Sequence, residues 1–154
     1  MKSMAILLFS LLFGLPLVAG EGGARASGSF DVTVTPVPTD EKDRQTAIPR
    51  FAIRKRYHGD LEATAEAEML VSGSQTSGAY VAIENVGGAL AGKTGTFALQ
   101  HSGTADRGTQ SLSITVVPGS GTGDLKGLSG RMAIRIEKDG RHFYEFDYSI
   151  GPRP

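Results

Sequence analysis

The chain has 154 residues, with 16 Lys and Arg against 16 Asp and Glu, and it contains no cysteine. The charge balance gives no electrostatic reason to expect nucleic acid or an anionic membrane as a partner. The lack of cysteine excludes disulfides, thiol chemistry and a lipid-anchored lipoprotein. The 21 glycines, together with many Val, Thr and Ser residues, favour strands joined by tight turns.

The N-terminus has the layout of a secretory signal peptide. A positive charge at Lys2 precedes an almost wholly apolar run over residues 5–18, and small residues follow. The run is short for a bilayer, which takes about 20 apolar residues, so an uncleaved anchor is the less favoured alternative. We predict a signal peptide over 1–20, or alternatively cleavage after Ala26, and a secreted or periplasmic protein with no membrane partner after cleavage.

The rest of the chain is predicted to be a single all-β domain over 28–150, between a flexible leader over 21–27 and a tail over 151–154. Apolar and polar residues alternate as expected for strands, and turn residues separate the strands. The predicted strands are 28–35, a segment that begins near Phe51, 79–86, 95–102, 111–117, 130–137 and 142–150. The charged segment 39–47 is interpreted as a solvated loop.

The segment 61–71 carries two conflicting signals. Its alternation predicts a strand, whereas its content of Ala, Glu, Leu and Met is typical of a helix. We prefer the strand, because small residues at alternate positions suit a crowded barrel interior. The acidic row Asp60, Glu62, Glu66 and Glu68 is then a solvent-facing strip rather than a cation site.

Residues 87–94 (GGALAGKT) match the phosphate-binding pattern G-x-x-x-x-G-K-[ST]. That pattern needs a helix after the loop, but 95–103 alternates as a strand. The frame G-x-L-x-G-x-x-G at 88–95 also recurs at 123–130 without the Lys-Thr pair. We interpret both copies as structural turns in a repeated antiparallel unit, and we predict no cofactor. About eight such strands fit an up-and-down or Greek-key barrel, or a sandwich.

Several segments carry a resemblance to a known family. They are FDV near the start of the first strand, HGDLE at 58–62, YVAIE at 80–84, GTFALQHSG at 95–103, VVPGSGTGDL at 116–125 and FDY at 146–148. Over about residues 27–150 the chain resembles the bacterial domain of unknown function 3224. The resemblance implies a single antiparallel β-barrel like that of allene oxide cyclase, and no assigned activity. The pocket cysteine of the plant cyclases has no counterpart here, so cyclase activity is not carried over.

His101 is the most informative polar residue. It shares a strand face with Phe97 and Leu99, so an inward face would put its imidazole among apolar side chains. It is then either a pocket acid/base or ligand donor, or a core histidine bonded to a carbonyl or carboxylate. The three histidines lack metal-ligand spacing, and no metal site is predicted.

Glu84 is the expected companion of His101. It shares a strand face with Tyr80 and Ala82, and it could exchange a proton with a histidine on the next strand. In the alternative, Val81 and Ile83 face inward and Glu84 is a solvated rim residue. The predicted ligand pocket comprises Tyr80, Glu84, Gln100 and His101, and the catalytic candidates are His101 and Glu84.

Three functions stay open at this point. The favoured one is an exported barrel that binds a small, mostly apolar ligand in its interior. The alternatives are an isomerase or cyclase that uses a pocket His or Glu, and a structural or interaction protein with a filled barrel. Homo-oligomer formation is left open.

Overall fold

The computed structural model of the chain describes residues 23–43 and 46–152. Eight strands follow one another along the chain: β1 (Ala24–Pro36), β2 (Arg50–Gly59), β3 (Leu61–Gly73), β4 (Gly78–Leu90), β5 (Lys93–Asp106), β6 (Thr109–Val116), β7 (Leu128–Ile136) and β8 (His142–Ile150). Each strand is antiparallel to the next, and β8 pairs with β1 to close the ring. The prediction of an all-β, eight-stranded antiparallel barrel is confirmed, and the barrel is of the up-and-down type.

Two short 3-10 turns, Glu41–Asp43 and Gly123–Leu125, lie in the connections before β2 and β7. Within the described ranges, no helix is long and apolar enough to cross a membrane. Residues 1–22, which include the predicted signal peptide and the cleavage point after Gly20, lie outside the described residues.

The first strand begins earlier than predicted. Residues 24–30 pair with β8, and Ala26 is buried against the core while Arg25 points outward to Asp147. The prediction of a flexible leader over 21–27 is therefore wrong for 24–27. These four residues carry little strand preference of their own, and their pairing with a strand more than a hundred positions away fixes them in the sheet.

The segment 61–71 is a strand, as preferred, and β3 alternates buried and exposed residues along its length. The helix signal in its composition is overridden because β3 pairs with β2 on one side and with β4 on the other. Its inward residues Ala63, Ala65 and Ala67 are small, and they leave room inside the barrel. The acidic row faces solvent, as expected from strand alternation.

The two glycine frames form different turns that touch each other. In the first frame, Ala91 and Gly92 have φ of 48° and 79° and make a two-residue hairpin turn between β4 and β5. In the second frame, the 3-10 turn Gly123–Leu125 leads into β7, and the Asp124 carboxylate accepts hydrogen bonds from Thr94. Each frame leads into a strand, as predicted, so residues 87–94 lack the helix that a phosphate-binding loop requires.

The two ends of the barrel are packed differently. We call the end that carries connections 37–49, 74–77, 107–108 and 137–141 the mouth. The opposite end is filled by the larger core cluster, which includes Tyr57, Leu61, Leu90, Leu125 and Phe146. A smaller cluster lies toward the mouth and consists of Phe51, Met69, Val71 and Ala82.

One junction of the ring is much weaker than the others. Strands β6 and β7 are in register only at Ile114–Met132 and Thr115–Arg131, whereas β1 and β8 are in register over 24–30 and 142–148. Continuing the β6–β7 register toward the mouth would pair Leu112 with Ile134, but the strands separate before that point. We call this junction the β6–β7 seam.

Candidate functional site

Four polar side chains meet inside the barrel, between the two apolar clusters. Lys55 and Tyr57 come from β2, Glu84 from β4 and His101 from β5, each at an inward position of its strand. Glu84 is 1% exposed, His101 6%, and the Lys55 side chain 7%. Lys55 pairs in register with Ala65 and Glu84 with Ala67, so the small residues of β3 leave a path across which the two charged groups meet.

Glu84 is the centre of this cluster. Its Oε2 lies 2.6 Å from Nζ of Lys55, and its Oε1 accepts a hydrogen bond of 2.6 Å from the Tyr57 hydroxyl. Burial by itself would raise the pKa of Glu84, but the Lys55 charge, the neighbouring His101 and the hydrogen bond from Lys55 outweigh burial and lower the pKa to about 2. Glu84 is therefore a carboxylate, and with Lys55 it forms a buried ion pair of zero net charge.

His101 has fewer well-aligned hydrogen bonds to hold it than Glu84 has. Its Nε2 lies 2.9 Å from Oε2 of Glu84, but the ring N–H is not directed at that oxygen, so Nε2 has no well-aligned hydrogen-bond partner among the described residues. Burial lowers the pKa of His101; Glu84 opposes this shift and the nearby Lys55 charge adds to it. The imidazole is thus neutral near pH 7, with one nitrogen left to meet a further group.

A small cavity adjoins these side chains. Its volume is about 60 Å³, and its wall combines apolar residues with Lys55, Glu84, His101 and Tyr80. The apolar part of the wall is Phe30, Val32, Val34, Ile53, Ala67, Met69, Ala82, Leu112 and Ile134. Since one water takes roughly 10–15 Å³ of such space, the cavity has room for about four to six waters.

Tyr80 covers part of this cavity on the side of β5. Its ring lies against the backbone of Gly103, where a Cβ would overlap the ring. Burial, with a smaller effect of the Glu84 charge, raises the pKa of Tyr80, so its hydroxyl stays protonated.

The structure brings together three of the four predicted pocket residues. Tyr80, Glu84 and His101 all line the cavity. Gln100 does not, and its inclusion was wrong: successive residues of a strand point to opposite faces, so Gln100 is exposed on the outside of β5 next to the inward His101. The alternative with Val81 and Ile83 inside is also wrong, since both are 51% exposed.

Sequence reasoning missed Lys55 and Tyr57. A signal was present, because Phe51, Ile53, Lys55 and Tyr57 follow one another at alternate positions. This period puts an amine in a row of apolar inward residues. Among the described residues, no group of three or more His, Asp or Glu side chains is placed to hold a metal ion.

Comparison with known proteins agrees with this architecture. A family model described as "Protein of unknown function (DUF3224)" matches residues 26–148. The chain belongs to the DUF3224 family. A solved DUF3224 structure from Shewanella oneidensis MR-1, a protein of unknown function, is 41% identical, with a TM-score of 0.75 over 84% of this chain and 99% of that one. No curated protein matches the chain. The closer likeness to allene oxide cyclase stays a prediction.

Proposed function

We propose that this DUF3224 protein binds a small, mostly apolar ligand in the cavity on the mouth side of its barrel. The observation that carries the proposal is Nε2 of His101, a buried polar atom without an aligned partner beside an apolar cavity. Buried polar atoms are nearly always hydrogen-bonded, so an exception at a cavity wall marks a place where a bound molecule completes the bonding.

The size of the cavity limits the ligand. Typical pockets for drug-sized molecules are about 300–1,000 Å³, well above the space enclosed here. Four to six waters correspond to roughly 120–180 Å³ of liquid, since each occupies about 30 Å³. The proposed ligand is therefore a compact molecule, or the end of a longer one whose remainder lies outside the cavity.

The test is a titration of the labelled protein with toluene and cyclohexene, followed by amide chemical shifts. Shifts are expected at residues around the cavity, such as Ala82 and Leu112. Ala67→Val adds two methyl groups to the cavity wall and should weaken binding several-fold, because the cavity has little spare volume. The matched control is Ala133→Val on the outside of β7, which should leave binding unchanged. Shifts spread over the surface, or none at all, would favour a filled barrel without a ligand.

A second candidate is proton transfer by His101 to or from a bound molecule. The neutral imidazole at the cavity supports it, since a neutral imidazole can give a proton from one ring nitrogen and accept one at the other. Glu84 is unsuited to this role because its pKa is about 2 and its oxygens already accept hydrogen bonds. The test is deuterium exchange at the α-carbons of cyclopentanone in D₂O. Faster exchange with the unmodified protein than with the His101→Gln variant would support catalysis. Equal rates would leave ligand binding as the only proposed function.

We also propose that the protein is exported and cleaved after Gly20. The barrel supports this choice over cleavage after Ala26, which would remove Arg25 and its ion pair with Asp147 along with the buried Ala26. Cleavage after Gly20 leaves all of β1 in place. Intact-mass measurement on protein secreted or released from the periplasm should give an N-terminus at Glu21. A chain that retains Met1 would contradict the proposal.

A further inference from the structure

We infer that the group recognised at the bottom of the cavity is the carbonyl oxygen of an uncharged compound. The inference rests on the proposed ligand binding and adds the chemical class of the ligand. It follows from which hydrogen-bonding positions of Lys55, Glu84 and His101 are already used and which face the cavity.

Among Lys55, Glu84 and His101, the groups left for a ligand are hydrogen-bond donors. The Lys55 ammonium has three N–H groups, of which one meets Glu84 at 2.6 Å and one meets the Tyr57 hydroxyl at 3.2 Å. Its third N–H has no oxygen or nitrogen acceptor among the described residues. Each Glu84 oxygen already accepts one hydrogen bond, Oε1 from the Tyr57 hydroxyl and Oε2 from Lys55.

His101 supplies a second donor. If Nε2 lacked a hydrogen, the partial negative charge on this nitrogen would lie 2.9 Å from the Glu84 carboxylate, which is repulsive whatever the direction of the lone pair. The neutral imidazole therefore carries its hydrogen on Nε2. This N–H is off the line to Glu84 and so is available to an acceptor in the cavity. An oxygen that accepts from both Lys55 and His101 satisfies both groups at once.

The charge at this site selects an uncharged ligand. The opposite charges of Lys55 and Glu84 cancel, and the other residues of the cavity wall are uncharged. A carboxylate ligand would bring an uncompensated charge into a buried, apolar site. The loss of hydration of that charge would weaken binding by several kcal/mol. An alcohol is the poorer neutral choice, because its own O–H would need an acceptor and each Glu84 oxygen already accepts one hydrogen bond. A ketone, aldehyde, ester or amide carbonyl accepts without donating from its oxygen.

The experiment compares four probes of equal heavy-atom count: cyclohexanone, cyclohexanol, methylcyclohexane and cyclobutanecarboxylate. Dissociation constants come from amide shifts of the full barrel at pH 7.5. Cyclohexanone is expected to bind at least about fivefold more tightly than methylcyclohexane, because a net hydrogen bond contributes about 1 kcal/mol. Cyclohexanol should lie between them, and cyclobutanecarboxylate should bind most weakly.

The outcomes separate the two proposals. Equal binding of cyclohexanone and methylcyclohexane would overturn the carbonyl inference and leave ligand binding standing. Tightest binding of the carboxylate or the alcohol would also overturn the inference. If no probe shifts the residues around the cavity, the proposed function itself fails, and the inference with it.

Variants and infrared spectra give independent readouts. His101→Phe should remove most of the preference for cyclohexanone over methylcyclohexane, and the control His58→Phe, at a partly exposed histidine on the outside of β2, should not. Should His101→Phe fail to fold, the carbonyl stretch of ¹³C-labelled cyclohexanone bound to the unmodified protein answers the question. A downshift from its value in hexane is expected, and an unshifted band would overturn the inference.

Discussion

Glu84→Gln should be among the most destabilising single changes in this barrel, because it leaves the buried Lys55 ammonium without its counter-charge. Removing one partner of a buried ion pair costs about 3–5 kcal/mol. The pKa of Glu84 gives a second route to the magnitude: a fall from 4.5 to about 2 corresponds to roughly 3 kcal/mol. Both estimates are a large part of the 5–15 kcal/mol by which domains are usually stable.

The lowered pKa of Glu84 also predicts how the stability of the fold changes with pH. A carboxylate with a lowered pKa in the folded state stabilises fully above its unfolded value, and that stability is lost as pH falls through the folded value. For Glu84 the loss spans pH 4.5 down to about 2. The unmodified protein should therefore lose stability steeply in this window, and Glu84→Gln should show a shallower acid dependence with a lower stability at pH 7.

Urea denaturation at pH 7 measures the effect, with Glu66→Gln as the control. Glu66 makes an ion pair with Arg54 on the outside of the barrel, with both side chains more than 75% exposed, so its loss should change stability by less than about 1 kcal/mol. Adding Lys55→Met to Glu84→Gln should recover part of the loss, because the unpaired buried charge is then removed. If Glu84→Gln were as stable as Glu66→Gln, the buried ion pair described here would be refuted.

Three further changes have defined outcomes. Ala91→Asn should stabilise the barrel by up to about 1 kcal/mol in urea denaturation, because Ala91 has a left-handed φ of 48° that Asn tolerates better; a loss of stability would contradict this turn geometry. Gly103→Ala should lower stability by about 1–3 kcal/mol as the Tyr80 ring is displaced, whereas Gly87→Ala, whose Cβ would meet only a methyl group at 3.6 Å, should be close to neutral. Because the pKa of His101 is lowered in the folded state, stability should fall as pH drops below 6.5, and His101→Gln should flatten that slope; an unchanged slope would show that His101 is not the group responsible.

The strand pattern and part of the site could be predicted from the sequence because both depend on local alternation. Tyr80, Glu84 and His101 lie on two strands that are joined by a two-residue turn, so their shared interior position follows from the period of each strand and the hairpin between them. The inclusion of Gln100 in the pocket broke the same rule, since Gln100 directly precedes the inward His101 and must point to the opposite face.

The contact between Lys55 and Glu84 could not be predicted in this way. Their strands are not neighbours in the ring, because β3 lies between them, and the two groups meet only across its alanines. That contact depends on the register of three strands and on the curvature of the barrel. The early start of β1 has a similar origin, since it is fixed by pairing with the far end of the chain.

The β6–β7 seam changes how the closed barrel is best described. The junction between the first and last strands, β1 and β8, is well paired. The barrel is therefore in effect one continuous sheet with the strand order β7, β8, β1, β2, β3, β4, β5, β6. This sheet curls round until its two edge strands, β7 and β6, meet at two residue pairs. Edge strands with free backbone groups invite pairing with other chains, and here the two edges shield each other by facing across the seam. Only these two residue pairs join the edge strands in register, and Leu112 and Ile134, one on each side of the seam, both lie in the wall of the cavity.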